Sequence, residues 1–151
     1  MAFEIPANIH PNCAPLAWLI GNWAGNGHGE YPGIDNFQFG QEVIFQQDGR
    51  PFIHYMSRSW IIDDQGNHVR EAAQETGFIR PQPDRTIEWV MSHNLGYSEI
   101  WHGEIHEDKP RFEVVTDAIA RTASSKEYVA GKRLYGYVKG DLLYAFDMAA
   151  M

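Results

Sequence analysis

Along most of this chain, apolar and aromatic side chains alternate with polar ones in short runs separated by turn-forming residues. That is the pattern of consecutive antiparallel strands. Runs fall at 38–47, 52–62, 76–80, 86–92, 97–106, 111–116, 126–138 and 142–148, punctuated by Asp48-Gly49-Arg50, Asp63-Asp64-Gln65-Gly66-Asn67 and Pro81-Gln82-Pro83-Asp84. Helical spacing occurs at 14–20, where Leu16, Leu19 and Ile20 can share one apolar stripe, and this short helix is expected to plug one end of the fold. A long open meander would leave exposed edges, whereas a closed sheet removes them and encloses space for side chains or one ligand. The expected fold is therefore an all-β, closed antiparallel barrel.

Period-two alternation also sorts side chains by face. Ile87, Trp89, Met91 and His93 share one parity, so His93 follows the apolar face. Leu142, Tyr144, Phe146 and Met148 share another, with Asp147 opposite. His93 and Met148 are thus placed on the wall of any internal cavity.

The chain has 151 residues, the size of one domain, so residues 1–151 are read as a single barrel. Aromatic residues run from Trp18 to Phe146, and every segment contributes to burial. Twenty acidic residues against 12 Lys and Arg give a formal charge of −8, which would repel a phosphate backbone or an anionic membrane. No apolar stretch approaches the ~20 residues of a membrane-spanning helix. Cys13 has no second cysteine to pair with, and the start of the chain lacks the basic cluster and apolar run of a signal peptide. A cytoplasmic location is expected.

The segment Gly21-Asn22-Trp23-Ala24-Gly25-Asn26-Gly27-His28-Gly29 is unusual because its glycines alternate along a presumed first strand. Such spacing suits the close approach of a second backbone or a bulky ligand, or a strand bent sharply to close the barrel. A phosphate-cradling loop is excluded, since no strand precedes the glycines, no helix follows, and no Lys-Ser or Lys-Thr pair appears.

Gly21, Trp23, Gly25 and Gly27, followed by Gly29, Tyr31 and Pro32, resemble the signature of the nitrobindin family. Further stretches resemble the same family in the same order: Gly49-Arg50-Pro51-Phe52, Glu75-Thr76-Gly77-Phe78-Ile79-Arg80, Ser92-His93-Asn94-Leu95-Gly96, Ile119-Ala120-Arg121-Thr122, Ser125-Lys126-Glu127 and Met148-Ala149-Ala150. The resemblance covers nearly the whole chain. It implies a ten-stranded barrel shaped like lipocalins and fatty-acid-binding proteins, holding haem b in a wide cleft. It also implies binding of nitric oxide and isomerisation of peroxynitrite to nitrate, with the protein supplying placement, polarity and access. By the same resemblance Lys126 lies near the haem and can pair with a propionate, and His93 occupies a pocket position. Ala73 stands where several members have a distal histidine. The family's axial histidine lies beyond the position matched by Met148, so an axial histidine is expected beyond Met151 and the barrel is expected to lack its C-terminal segment. No catalytic residue is assigned within the chain.

Each candidate has a plainer reading. His93 can be a hydrogen-bonded structural group, Lys126 a solvated strand-end lysine, and Met148 a core filler. His102, Glu104 and His106 share a face but alternate with Trp101 and Ile105, so they are expected to meet water rather than a metal. No nucleophile elbow appears. The competing functions are a barrel for a fatty acid or other apolar small molecule without iron chemistry, and an interaction domain with a filled interior. A homodimer is compatible with all three.

Overall fold

A computed structural model describes residues 8–31, 34–125 and 130–149, with the side chains at 30, 31, 34, 35, 148 and 149 outside the description. Nine antiparallel strands follow one another as a meander: β1 (Gly21–Tyr31), β2 (Ile34–Gln46), β3 (Ile53–Ile62), β4 (His68–Pro81), β5 (Thr86–His93), β6 (Tyr97–Ile105), β7 (Arg111–Arg121), β8 (Ala130–Val138) and β9 (Asp141–Ala149). Each pairs with its sequence neighbours in the order β1 to β9. The all-β barrel expected from the alternation is present. Its described residues hold nine strands where the resemblance implies ten, and no ladder joins β1 to β9 among them, so the barrel is nearly closed.

The short N-terminal helix is a 3₁₀ helix, Ala14–Leu19, with Pro15 in its first turn. Pro lacks an N–H that a first turn would leave unpaired, and so short a segment suits the tighter 3₁₀ geometry. Leu16, Leu19 and Ile20 are buried, as the stripe predicts, together with Trp18 and Cys13. The helix covers the barrel end reached by the β2–β3, β4–β5, β6–β7 and β8–β9 connections; the opposite end is the mouth.

Above the helix lies a continuous aromatic layer. Tyr55 meets the edge of Trp89 with centroids 4.8 Å apart, Phe112 stacks on Tyr135 at 4.9 Å, and Tyr135 stacks on Tyr144 at 5.1 Å. Phe45, Ile53, Ile79 and Trp101 complete a core with almost no solvent contact. Alternation in β5 is unbroken, with Ile87, Trp89, Met91 and His93 all buried.

Side chains complete what the backbone ladder leaves open between β1 and β9. Trp23 on β1 donates its indole N–H to the Leu19 carbonyl at 2.9 Å and packs edge-on against Tyr137 of β8, 6.4 Å between centroids. Tyr144 on β9 donates to Gln41 Oε1 on β2 at 2.7 Å. Two contacts therefore cross the seam from opposite sides.

Glycines mark where the sheet leaves no room. A Cβ on Gly103 would stand 1.8 Å from the Glu113 carbonyl oxygen, whereas one on Gly25 would meet nothing within 4 Å. Gly103→Ala is expected to destabilise the fold by about 1–3 kcal/mol, the range for overpacking, and Gly25→Ala to change stability by no more than about 0.5 kcal/mol. Urea unfolding midpoints check this contrast, and similar shifts for both variants would contradict it.

Candidate functional site

Towards the mouth, inward-facing positions change from a packed core to glycines and half-buried phenyl rings that border an open space at Gly25, the chamber. On the β1–β2 wall, Gly27 lies opposite Phe39 and Gly29 opposite Phe37. The two phenyl rings lie over the glycines, so a Cβ at Gly27 would stand 2.5 Å from the Phe39 ring and one at Gly29 2.0 Å from Phe37. Here the glycine pattern makes room for cross-strand aromatic packing, and the mouth acquires an apolar lining. Gly25, one step deeper, faces open space.

The chamber's floor is a buried cluster of charges. Arg133 on β8 donates across the barrel to Glu75 on β4 through two parallel bonds, Nη1 to Oε1 at 2.9 Å and Nη2 to Oε2 at 2.7 Å. Glu75 Oε1 also accepts from the Tyr55 hydroxyl at 2.7 Å, and Arg133 Nη1 reaches the Tyr135 hydroxyl at 3.2 Å. The guanidinium lies 4.3 Å from the Phe146 ring centroid and 5.0 Å from that of Trp101. Such faces accept a cation in place of water. His93 bridges the two acids, with Nδ1 3.2 Å from Glu75 Oε2 and Nε2 2.6 Å from Glu99 Oε1, and it stacks on Tyr97 at 4.1 Å.

This environment dictates the charge states. Burial raises the Glu75 carboxyl, but the Arg133 charge and the hydrogen bonds from His93 and Arg133 outweigh it and hold the group far below the usual carboxylate range. Burial is likewise outweighed at Arg133, chiefly by the Glu75 charge, and its guanidinium is held more firmly than usual. Tyr55 is pushed up first by burial and then by the Glu75 charge, so its hydroxyl remains a donor.

A second polar chain runs beside the first. Tyr144 donates to Gln41 Oε1, whose Nε2 donates to Ser57 Oγ at 2.9 Å. Ser59 donates to the Ala73 carbonyl at 3.1 Å, so Ala73 contributes its backbone to this wall. A groove of about 570 Å³ over Ile44, Met56 and Arg58 is also lined by Ser57, Glu75 and His93 and so adjoins the charged floor, whereas one of about 800 Å³ lies beside Gly21, Phe52 and Phe78.

The residues expected from the sequence are distributed across these layers. Gly21 takes a left-handed φ of 139° where the chain enters β1, Trp23 is buried at the seam, and Gly25 and Gly27 face the chamber. His93 lies inside as parity required, and both its nitrogens are engaged by carboxylates. Met148 lies opposite Gly131 in the β8–β9 register, with its side chain outside the described residues. Lys126 is also outside them. His102 and Glu104 are exposed and His106 accepts backbone N–H groups, so this trio faces water and holds its own turn. Among the described residues no group of three or more His, Cys, Asp or Glu side chains is placed to hold a metal. Sequence reasoning missed Glu75, Glu99 and Arg133. The signal was available in parity, since Glu99 shares its face with Tyr97 and Trp101, and Arg133 shares its face with Tyr135.

Breaking the Glu75–Arg133 pair leaves one charge buried without its partner. Glu75→Gln is expected to cost about 3–5 kcal/mol, while the double variant Glu75→Gln/Arg133→Met should recover much of that loss. A double-mutant cycle in urea checks this, and strict additivity would refute the coupling. Because the folded-state value of Glu75 is depressed, its contribution is fully present above its ordinary value of 4.5 and is lost as pH falls below it.

The family model for the "THAP4-like, heme-binding beta-barrel domain" matches residues 12–151. A protein of Nocardioides sp. named "Peroxynitrite isomerase" is 58% identical over 151 residues, covering 100% of this chain and 91% of that one. A "Ferric nitrobindin-like protein" of Streptomyces griseus is 51% identical over 146 residues, covering 97% of this chain and 77% of the relative. The crystal structure of Rv2717c from M. tuberculosis superposes with a TM-score of 0.79 at 30% identity, covering 95% of this chain and 89% of that one. This chain belongs to the THAP4-like family of haem-binding β-barrel domains, to which its nitrobindin-like relatives point.

Proposed function

We propose that this chain holds a b-type haem at the mouth of its barrel, isomerises peroxynitrite to nitrate there and also binds nitric oxide. The observation that carries the reading is the wall of the mouth: an aromatic lining at Phe37 and Phe39, open space at Gly25, and beneath them a floor built on the Glu75–Arg133 ion pair. The name of the 58% identical relative supports the reaction. Bound ferric haem supplies an iron centre at which peroxynitrite is rearranged.

The residues fit such a group. Phe37 and Phe39 offer apolar contact to a flat macrocycle and exclude water, and Gly25 presents no Cβ in the open part of the wall. The Glu75–Arg133 pairing spares a hydrophobic ring from lying against unpaired charges, although Arg133 Nε is left without a hydrogen-bond partner among the described residues. Cys13 is fully buried among the residues that close the far end, where burial raises its thiol to about 11. It is the one cysteine of this sequence and no Cys-x-x-Cys-His motif is present in it, which supports a non-covalently held haem. A reduced, unpaired thiol also agrees with a cytoplasmic protein.

The iron's proximal imidazole comes, in this reading, from residues following Met151. His93 is held by two carboxylates, His68 by Glu71, and His54 is stacked on Phe78 on the outer face. Lys126 and Met148, whose side chains lie outside the described residues, are the ones the resemblance would assign to a propionate and to the wall. His93 acts from beneath as part of the floor.

Titration of the protein, extended through its following segment, with ferric haem is expected to give a Soret band saturating at one haem per chain. Stopped-flow mixing should then show faster peroxynitrite decay with nitrate as product. Gly25→Phe should weaken haem affinity by about tenfold or more, on the order of 1.4 kcal/mol, with an unchanged circular dichroism spectrum. A co-purifying fatty acid in native mass spectra, with no haem uptake, would instead identify an apolar-ligand carrier.

A further inference from the structure

Between two ionised carboxylates, only the doubly protonated form of His93 satisfies both neighbours. Nδ1 faces Glu75 Oε2 and Nε2 faces Glu99 Oε1. A neutral imidazole carries one N–H, so one of these contacts would set a ring lone pair against a carboxylate lone pair. Neither contact can pass to water, because the His93 side chain is 1% exposed and that of Glu99 is 0% exposed.

The surrounding groups come from five other strands or strand segments. β4 contributes Glu75, β6 contributes Glu99 and the stacked Tyr97, and β8 contributes Arg133 and Tyr135. β3 contributes Tyr55 through Glu75, and β7 contributes Thr116, whose hydroxyl lies 3.5 Å from Glu99 Oε2. With both carboxylates ionised, two negative charges face the single positive charge of Arg133. An imidazolium brings the cluster to neutrality, and a neutral imidazole leaves it at −1.

We propose that His93 is held as an imidazolium that sets the charge of the chamber floor, so that uptake of small anions at the mouth weakens when this residue loses its proton. The identity of the anion rests on the haem reading above; the charge state of His93 does not. Burial lowers the His93 value, and the hydrogen bonds and charges of Glu75 and Glu99 outweigh it and raise it above the ordinary 6.5. With the folded-state value raised, the stabilising contribution is fully present below 6.5 and is lost as pH rises through the folded value.

Imidazole ¹⁵N shifts of the haem-free protein, followed from about pH 5 to 9 around the ordinary histidine range, test the charge state. The wild type is expected to show an imidazolium well above the ordinary histidine midpoint, and Glu99→Gln, which keeps the shape of the site, to titrate at lower pH. Urea unfolding should show stability falling on the alkaline side in the wild type and a flatter profile in His93→Gln. In the haem-loaded protein, azide affinity read from the Soret shift should fall several-fold across the interval in which His93 titrates, a fall reduced in His93→Gln. A His93 that is neutral below its ordinary midpoint, or an azide profile identical in His93→Gln, overturns the proposal. Failure to load haem would remove the functional reading and the azide arm with it, and the ¹⁵N and unfolding measurements would then decide the charge state alone.

Discussion

Two parallel hydrogen bonds between Arg133 and Glu75 join β8 to β4 through the middle of the barrel, and much of the interior is arranged to make that ion pair tolerable. Removing a guanidinium and a carboxylate from water costs several kcal/mol per ion, which mutual attraction offsets only when the remaining hydrogen-bonding capacity is filled. Glu75 receives Tyr55 and His93 as well as Arg133. Arg133 also donates to the Tyr135 hydroxyl oxygen and lies over Phe146 and Trp101, while its Nε has no hydrogen-bond partner among the described residues. These partners come from β3, β5, β6, β8 and β9. The pair therefore fixes the relative register of strands that are far apart in the sheet.

That constraint divides the interior in two. Below the pair, aromatic rings and the 3₁₀ helix fill the barrel and leave no solvent path to Trp89 or Leu16. Above it, inward positions carry glycine, small polar and partly exposed aromatic residues, and the wall opens at Gly25. The seam between β1 and β9 is held at the lower level by Trp23 against Tyr137, and higher by Tyr144 reaching Gln41. A packed lower half thus carries the chamber above it.

Most of this architecture was legible where alternation was strict. β5 alternates without interruption, and each inward position assigned from parity is buried. Legibility failed where bulges shift the phase. Residues 68–75 were not read as strand, because β4 slips register against β3 between Arg58 and Trp60 and again between Ile61 and Ile62, which spoils the period-two pattern. The end of β7 was missed for the same reason, since a shift beside Trp101 makes Asp117 an extra residue. The charged floor was harder to read. A Glu or Arg inside an apolar run looks like an error of pattern until its partner is found, and Arg133 lies 58 residues from Glu75. His93 was correctly placed on the inward face, but sequence gives no access to the two carboxylates that occupy its nitrogens.

The glycine signature shows why structural and functional readings of one motif need not compete. Gly27 and Gly29 lack side chains because Phe39 and Phe37 occupy that space, which is a requirement of packing. Gly25 lies on the same face with the same parity, yet nothing fills the space before it. A Cβ here would meet no atom within 4 Å, so packing places no demand on this position and the space before it is left to the chamber. The cross-strand phenyl rings then do two things at once: they replace the missing side chains of their glycine partners, and they line the mouth with the apolar surface that a porphyrin requires.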